Sequence, residues 1–242
     1  MEQYFTALAF AVLPALGNFA GGMVAEMFRI SERTLSLALH GAAGIILAVV
    51  AVELMPQALR TDAPWIIILS FIAGGGLFIA IDKITHIINT RGQQAGEEAG
   101  PGMIFLGVAF DLFSDGIMIG AGSTIEFSLG LLLALGQTPA DFPEGFATIA
   151  AFKAKGVARR MRILANVAFV IPLFLGTTIG YWGVRGRPEI FKLALLAFTA
   201  GMLTTVAIEE IVPQAHRGKE ARLATTIFIA GFALFTWLSV YF

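Results

Sequence analysis

Four carboxylates stand inside two otherwise apolar stretches, Asp111 and Asp115 in FDLFSDGIMIG and Asp141 and Glu144 in ADFPEGFATIA, and neither stretch holds a Lys or Arg. An ionised acid at the centre of a bilayer costs roughly 2.5 to 3.5 kcal/mol on insertion scales, so four without internal partners call for an external one. A bound cation meets that need. Asp111 and Asp115 are spaced i, i+4 and Asp141 and Glu144 i, i+3, so each pair occupies one helical face, and two such faces opposed build one oxygen-lined site.

The elements that hold these acids are membrane helices. The 242 residues are 57% hydrophobic and 14% charged, with a mean hydropathy of +0.81, whereas a soluble domain carries about 25% charged residues. At about 20 apolar residues per span, the sequence predicts an all-α membrane protein of eight transmembrane helices, residues 4–27, 34–59, 65–86, 102–121, 126–152, 163–183, 190–213 and 222–242, in one polytopic domain over 1–242. The first follows Met1-Glu2 with no basic n-region and no small-residue cleavage site, so it reads as a span and not as a removed signal peptide. The linker TRGQQAGEEAGP, Thr90 to Pro101, is short, polar and Gly-rich, and no soluble domain is apparent.

Charge sets the orientation. With the N-terminus outside, twelve of the sixteen basic residues fall inside (Arg29, Arg33, Lys83, Arg91, Lys153, Lys155, Arg159, Arg160, Arg162, Arg217, Lys219 and Arg222) and four outside (Arg60, Arg185, Arg187 and Lys192). The positive-inside rule then gives a multi-pass protein of the plasma (inner) membrane with both termini outside. The run from Lys153 to Arg162 reads as part of that topology signal and not as a nucleic-acid patch, so no nucleic-acid partner is expected. There is no cysteine, which excludes a disulfide framework and a thiolate metal site. No G-x-S-x-G, Walker A or H-E-x-x-H motif and no nucleophile and base pair is apparent, so an enzyme is not expected.

An internal repeat organises the helices. A shift of 157 places Ala43-Gly44 on Ala200-Gly201, Glu53 on Glu210, Pro56-Gln57-Ala58 on Pro213-Gln214-Ala215 and Arg60 on Arg217, and 14 of the 36 positions from 43 to 78 are identical. Helix two then runs from inside to outside and helix seven from outside to inside. Such inverted-topology repeats are typical of secondary transporters that expose a midplane site alternately to each face. The repeats are helices one to three (about 4–86) and six to eight (about 163–242), and the central pair, helices four and five (about 102–152), carries the four acids.

Asp111 lies nine residues from Gly102 and Glu144 nine from Lys153, which at about 1.5 Å per residue puts both roughly 14 Å from the cytoplasmic surface. Pro139 and Pro143 are expected to interrupt helix five and free carbonyls around Leu135 and Pro139. Gly116, Gly120 and Gly145 are expected to let helices four and five approach closely, and Gly17-x-x-x-Gly21 and Gly176-x-x-x-Gly180 read as packing faces. Glu53, Glu209, Glu210, Asn18 and His40 are further candidates for the pathway or its gates. For Glu53 and Glu210, snorkelling to the interface is an equal alternative; for Asn18 and Asn166, interhelical hydrogen bonding is the simpler role. His40, His86 and His216 read as interfacial.

The sequence around these residues resembles the ZIP (Zrt/Irt-like) family of divalent metal-ion transporters. ALGQTPADFPEGFATIAAFKAKG resembles the fifth helix of that family, whose helices four and five bear a signature of the form His-Asn-x-Pro-Glu-Gly, and FDLFSDGIMIGAG fits the same frame loosely. AVELMPQA and AIEEIVPQAH resemble its second and seventh helices, and eight helices in a three, two, three arrangement agree with it. Departures are marked: Asp111 stands at the usual His, Leu112 at the Asn, Ser114 at the Pro, Asp115 at the Glu, and Ala140 at the usual His or Gln. The resemblance implies metal uptake toward the cytoplasm by alternating access, with helices one, four, five and six shifting against helices two, three, seven and eight. It also puts a second metal site in question, because Leu112 cannot ligate and helix six holds no acid.

What remains is an all-oxygen, largely mononuclear site, suited to Mn²⁺, Mg²⁺ or Ca²⁺, with Fe²⁺ also open, better than to Zn²⁺, with the ion as substrate. The partners expected are the lipid bilayer and the metal ion, with a homodimer left open. Two other classes stay open: a proton-coupled transporter of another small solute, and a metal-sensing membrane protein of the same fold that does not transport.

Overall fold

The computed structural model describes residues 1–28, 31–93, 100–211 and 221–241, without the side chains of 32, 81, 82, 84–93, 210, 211 and 221. The expectations for Glu210, His86, His216, Arg29, Arg91, Arg217 and Lys219 therefore lie outside the described side chains.

The described residues form eight helical rods and no strand. They are α1 (Glu2–Met27), α2 (Glu32–Ala48, continued by a π-helical stretch Val49–Leu54 and a last turn Met55–Ala58), α3 (Pro64–Gln93), α4 (Pro101–Ile125), α5 (Phe127–Ala154), α6 (Arg159–Ala168 and Val170–Val184), α7 (Glu189–Val206 with a π-helical stretch Ala207–Ile211) and α8 (Ala221–Tyr241). Six of them, α1, α2, α4, α6, α7 and α8, are long and apolar enough to cross a membrane, and α3 contributes the shorter apolar stretch Pro64–Ala80. In α5, Gln137, Asp141 and Glu144 interrupt the apolar run.

Local sequence explains the joints. Ser31 caps α2 by accepting a hydrogen bond from the Thr34 backbone N–H at 3.2 Å, satisfying one donor of the first turn. Each π stretch is followed in sequence by a proline, Pro56 or Pro213. A proline lacks the N–H that would hold the carbonyl four residues back and collides with it, so widening the helix ahead of it relieves the clash. Pro172 acts the same way on Ala168, and α6 is interrupted at Phe169. By contrast α5 stays a continuous helix through both Pro139 and Pro143. The expected break in helix five is absent, because the neighbouring turns keep their hydrogen bonds.

Packing is by pairs. α1 lies along α5, α4 along α6, α3 along α7 and α2 along α8, with α4 and α5 touching between them. Glycines allow these contacts: Gly17 and Gly21 press on the backbone of Thr138 and Phe142, Gly145 on that of Asn18, Gly116 and Gly120 on Leu173 and Thr177, and Gly176 and Gly180 on Phe113 and Ile117. Without a hydrophobic force between helices in lipid, close backbone approach of this kind supplies the association energy. Gly116 and Gly120 thus pack on α6 and Gly145 on α1; they do not bring α4 and α5 together, because all three face away from the α4–α5 seam. Where the chain turns from α5 into α6, Arg162 donates through Nε and Nη2 to the two carboxylate oxygens of Glu26, at 2.7 Å each. That bidentate pair ties the end of α1 to the start of α6.

Candidate metal centre

Asp111, Asp115, Asp141 and Glu144 all line one cavity of about 320 Å³. Its wall is α4 and α5 on one side, with Leu39 and Ile46 of α2 and Leu203 and Val206 of α7 on the other. The cavity runs from Asp115 and Gln137 toward Ile104 and Ala151, in the first turn of α4 and near the last turn of α5. At roughly 30 Å³ per water it has room for about ten waters, enough for a hydrated ion.

The acids face one another across the α4–α5 seam, Asp111 and Asp115 from α4 and Asp141 and Glu144 from α5. Gln137 of α5 donates to Asp115 and Asn18 of α1 to Glu144. Carboxyl groups gathered in one cavity call for a proton or a cation among them. Asp115 and Asp141 are each 2% exposed. Among the described residues no group of three or more His, Cys, Asp or Glu side chains is gathered tightly enough to hold a metal ion. In this conformation the four acids share a cavity without converging on one point.

Gln137 is the residue that sequence reading missed. It is buried, lines the cavity and donates its amide N–H to Asp115. Its own Oε1 and the Oδ2 of Asp141 are buried with no hydrogen-bond partner in the protein, and acceptors left open in a cavity wall suit a cation. The signal was present as spacing, because Gln137, Asp141 and Glu144 recur at i, i+4, i+7 on one face. Ala140 also lines the cavity and offers no ligand atom, so Gln137, one turn earlier, supplies the amide that position 140 lacks. Leu112 points the other way, fully buried against Ala11, Ala15, Phe169 and Leu173.

The other candidates divide. Asn18 is buried and its Nδ2 donates to Glu144 Oε2 at 3.4 Å, so it braces a cavity acid from α1. Asn166 donates to the Phe19 carbonyl at 3.0 Å and serves packing. His40 was expected at the interface but is buried, 4% exposed, with Nδ1 against the Ser36 carbonyl at 2.8 Å; it lies in the middle of a packed helix, one residue past cavity-lining Leu39. Glu53 is buried in the π stretch of α2 and is hydrogen-bonded by Ser239 of α8, so it neither snorkels nor lines the cavity. Glu209 is exposed and also outside it.

Fold and site together define a multi-pass membrane protein with an acid-lined cavity among its helices. Residues 101–239, more than half of the chain, match the family model of the ZIP zinc transporters, and the chain belongs to that family. It is 25% identical to the zinc transporter ZupT of Chlorobium phaeovibrioides, covering 97% of both chains, and 25% identical to ZupT of Enterobacter sp., covering 86% of both. It is 24% identical to human zinc transporter ZIP4 over 72% of its own length but spans only 26% of that protein, and it spans 15% of human zinc transporter ZIP6.

Proposed function

We propose that this protein is a secondary transporter of divalent metal cations, moving them toward the cytoplasm by alternating access, with Asp111, Asp115, Gln137, Asp141 and Glu144 as an all-oxygen site. The observation that carries the reading is that the four acids of α4 and α5 open into one cavity. The names of the relatives support a metal as the cargo. The departures at Asp111 and Ala140 shift the preference toward harder ions, since oxygen ligands suit Mn²⁺, Mg²⁺ or Fe²⁺ better than Zn²⁺.

Packing supports an inverted repeat in a three, two, three arrangement. Exchanging the halves turns the α2–α8 contact into α7–α3 and the α1–α5 contact into α6–α4, all of which occur. Gly44 meets the Phe228 backbone and Gly201 meets that of Phe71, and each residue is 157 from its counterpart. The two π stretches, Val49–Leu54 and Ala207–Ile211, fall at the same register. Closest backbone contacts lie within the sets α1, α4, α5, α6 and α2, α3, α7, α8, while the cavity runs between them. A shift of one set against the other would draw the two carboxyl pairs around an ion and expose it to alternate faces. Eight spans with both termini outside complete the reading.

Proteoliposome flux tests it. Wild-type protein takes up Mn²⁺, and Asp111→Ala with Glu144→Ala lowers that uptake by at least about 100-fold, beyond the 10–100-fold typical of losing a supporting partner. Unchanged flux of every divalent ion would refute the site.

A further inference from the structure

The ends of α4, α5 and α6 that the charge distribution assigns to the cytoplasmic side enclose a second cavity. It measures about 300 Å³, and every residue lining it is apolar or glycine. Its floor is Phe105, stacked on Phe169 with ring centres 4.8 Å apart. One wall is the face of α6 made by Met161, Leu164, Ala165 and Ala168, spaced i, i+3, i+4, i+7. Met161 and Leu164 are 56% and 58% exposed, so the groove opens laterally toward lipid.

Its rim has the opposite chemistry. From Lys153 to Arg162 the chain carries five basic residues and no acid. Arg160, one helical turn before Leu164, is exposed and has no carboxylate partner among the described residues. Arg159 is 74% exposed and shares Glu26 with Arg162, which already grips that carboxylate with two hydrogen bonds. An apolar groove in a bilayer admits the tail of any lipid, and only charge at the headgroup level selects among them.

We propose that this groove binds an anionic phospholipid, with an acyl chain against Phe105, Leu164 and Ala168 and the phosphate against Arg160. The proposal rests on the membrane setting alone and stands whatever ion the carboxylate cavity carries. It gives the helices that hold Asp111 and Asp141 a lipid wedged at their cytoplasmic ends.

Native mass spectrometry of the detergent-purified full chain, titrated separately with phosphatidylglycerol and phosphatidylcholine, tests it. Phosphatidylglycerol is expected to bind tighter. Arg160→Gln is expected to weaken it roughly fivefold, corresponding to about 1 kcal/mol for a basic residue at an anionic surface, and to leave phosphatidylcholine unchanged. Arg160→Lys restores the preference, and Met161→Glu, at a position 56% exposed, removes it. Equal binding of the two lipids, or phosphatidylglycerol binding unaltered by both Arg160→Gln and Met161→Glu, would overturn the proposal.

Discussion

Two regions of this molecule bury acids, and they do so in different ways. On α4 and α5, Asp111, Asp115, Asp141 and Glu144 share one cavity at the seam of the two helices. On the π stretch of α2, Glu53 stands alone and is met by the hydroxyl of Ser239, while Glu209 of the α7 stretch is exposed. A single acid with a hydroxyl donor is a satisfied polar group in a helix interface. Among the four cavity acids, Asp141 keeps a buried Oδ2 with no hydrogen-bond partner, and so does the Oε1 of neighbouring Gln137. Under the proposed function, the ion belongs to α4 and α5, and the acids of α2 and α7 serve the scaffold.

That division can be sharpened by substitutions that touch one region at a time. The largest effect after the cavity acids themselves is expected from Asn18→Ala, which removes the amide that holds Glu144. Loss of a supporting partner lowers metal affinity by roughly tenfold or more, so Mn²⁺ uptake measured against concentration should show a raised KM with thermal stability close to wild type. A loss of stability with KM intact would return Asn18 to packing. Next come Gly44→Val and Gly201→Val, each of which drives a side chain into a backbone carbonyl of the opposite half. Overpacking of this sort costs about 1 to 3 kcal/mol, and the two variants should lower the unfolding temperature in detergent by similar amounts. Unequal losses would break the equivalence of the halves. The smallest effect is expected from Glu53→Gln, whose amide still accepts a hydrogen bond from Ser239; Mn²⁺ flux should stay within about twofold of wild type, a change of less than 0.5 kcal/mol. A flux collapse would extend the ion pathway to α2.

Much of this was legible in the sequence. Hydropathy and length placed most helix ends within a few residues of those in the structure, although α3 runs seven residues past its expected end, to Gln93, and an acid in an apolar run is a local signal that no tertiary contact is needed to detect. Partners were not legible. Gly116 and Gly145 were readable as packing positions, but a glycine announces close approach without saying to which helix, and the structure gives α6 and α1. Pro139 and Pro143 promised a break that α5 does not show. Gln137 was overlooked because a lone amide among apolar residues carries no charge to explain; only the hydrogen bond to Asp115 and the orphaned Oε1 give it a role. His40 reads as interfacial in the sequence but lies inside α2 and is buried, since exposure depends on which neighbours cover that face.

The central claim is that the carboxyl pairs between α4 and α5 hold the cation that the protein moves. Anomalous diffraction from crystals grown with Mn²⁺, and separately with Zn²⁺, reads it directly. The account predicts a Mn²⁺ peak inside the cavity, at about 2.0–2.6 Å from oxygens of Asp111, Asp115, Asp141 and Glu144, with the Gln137 amide oxygen turned toward it and a weaker Zn²⁺ peak at the same place. A cavity without a peak for either ion, in protein that still carries metal across liposomes, would contradict it.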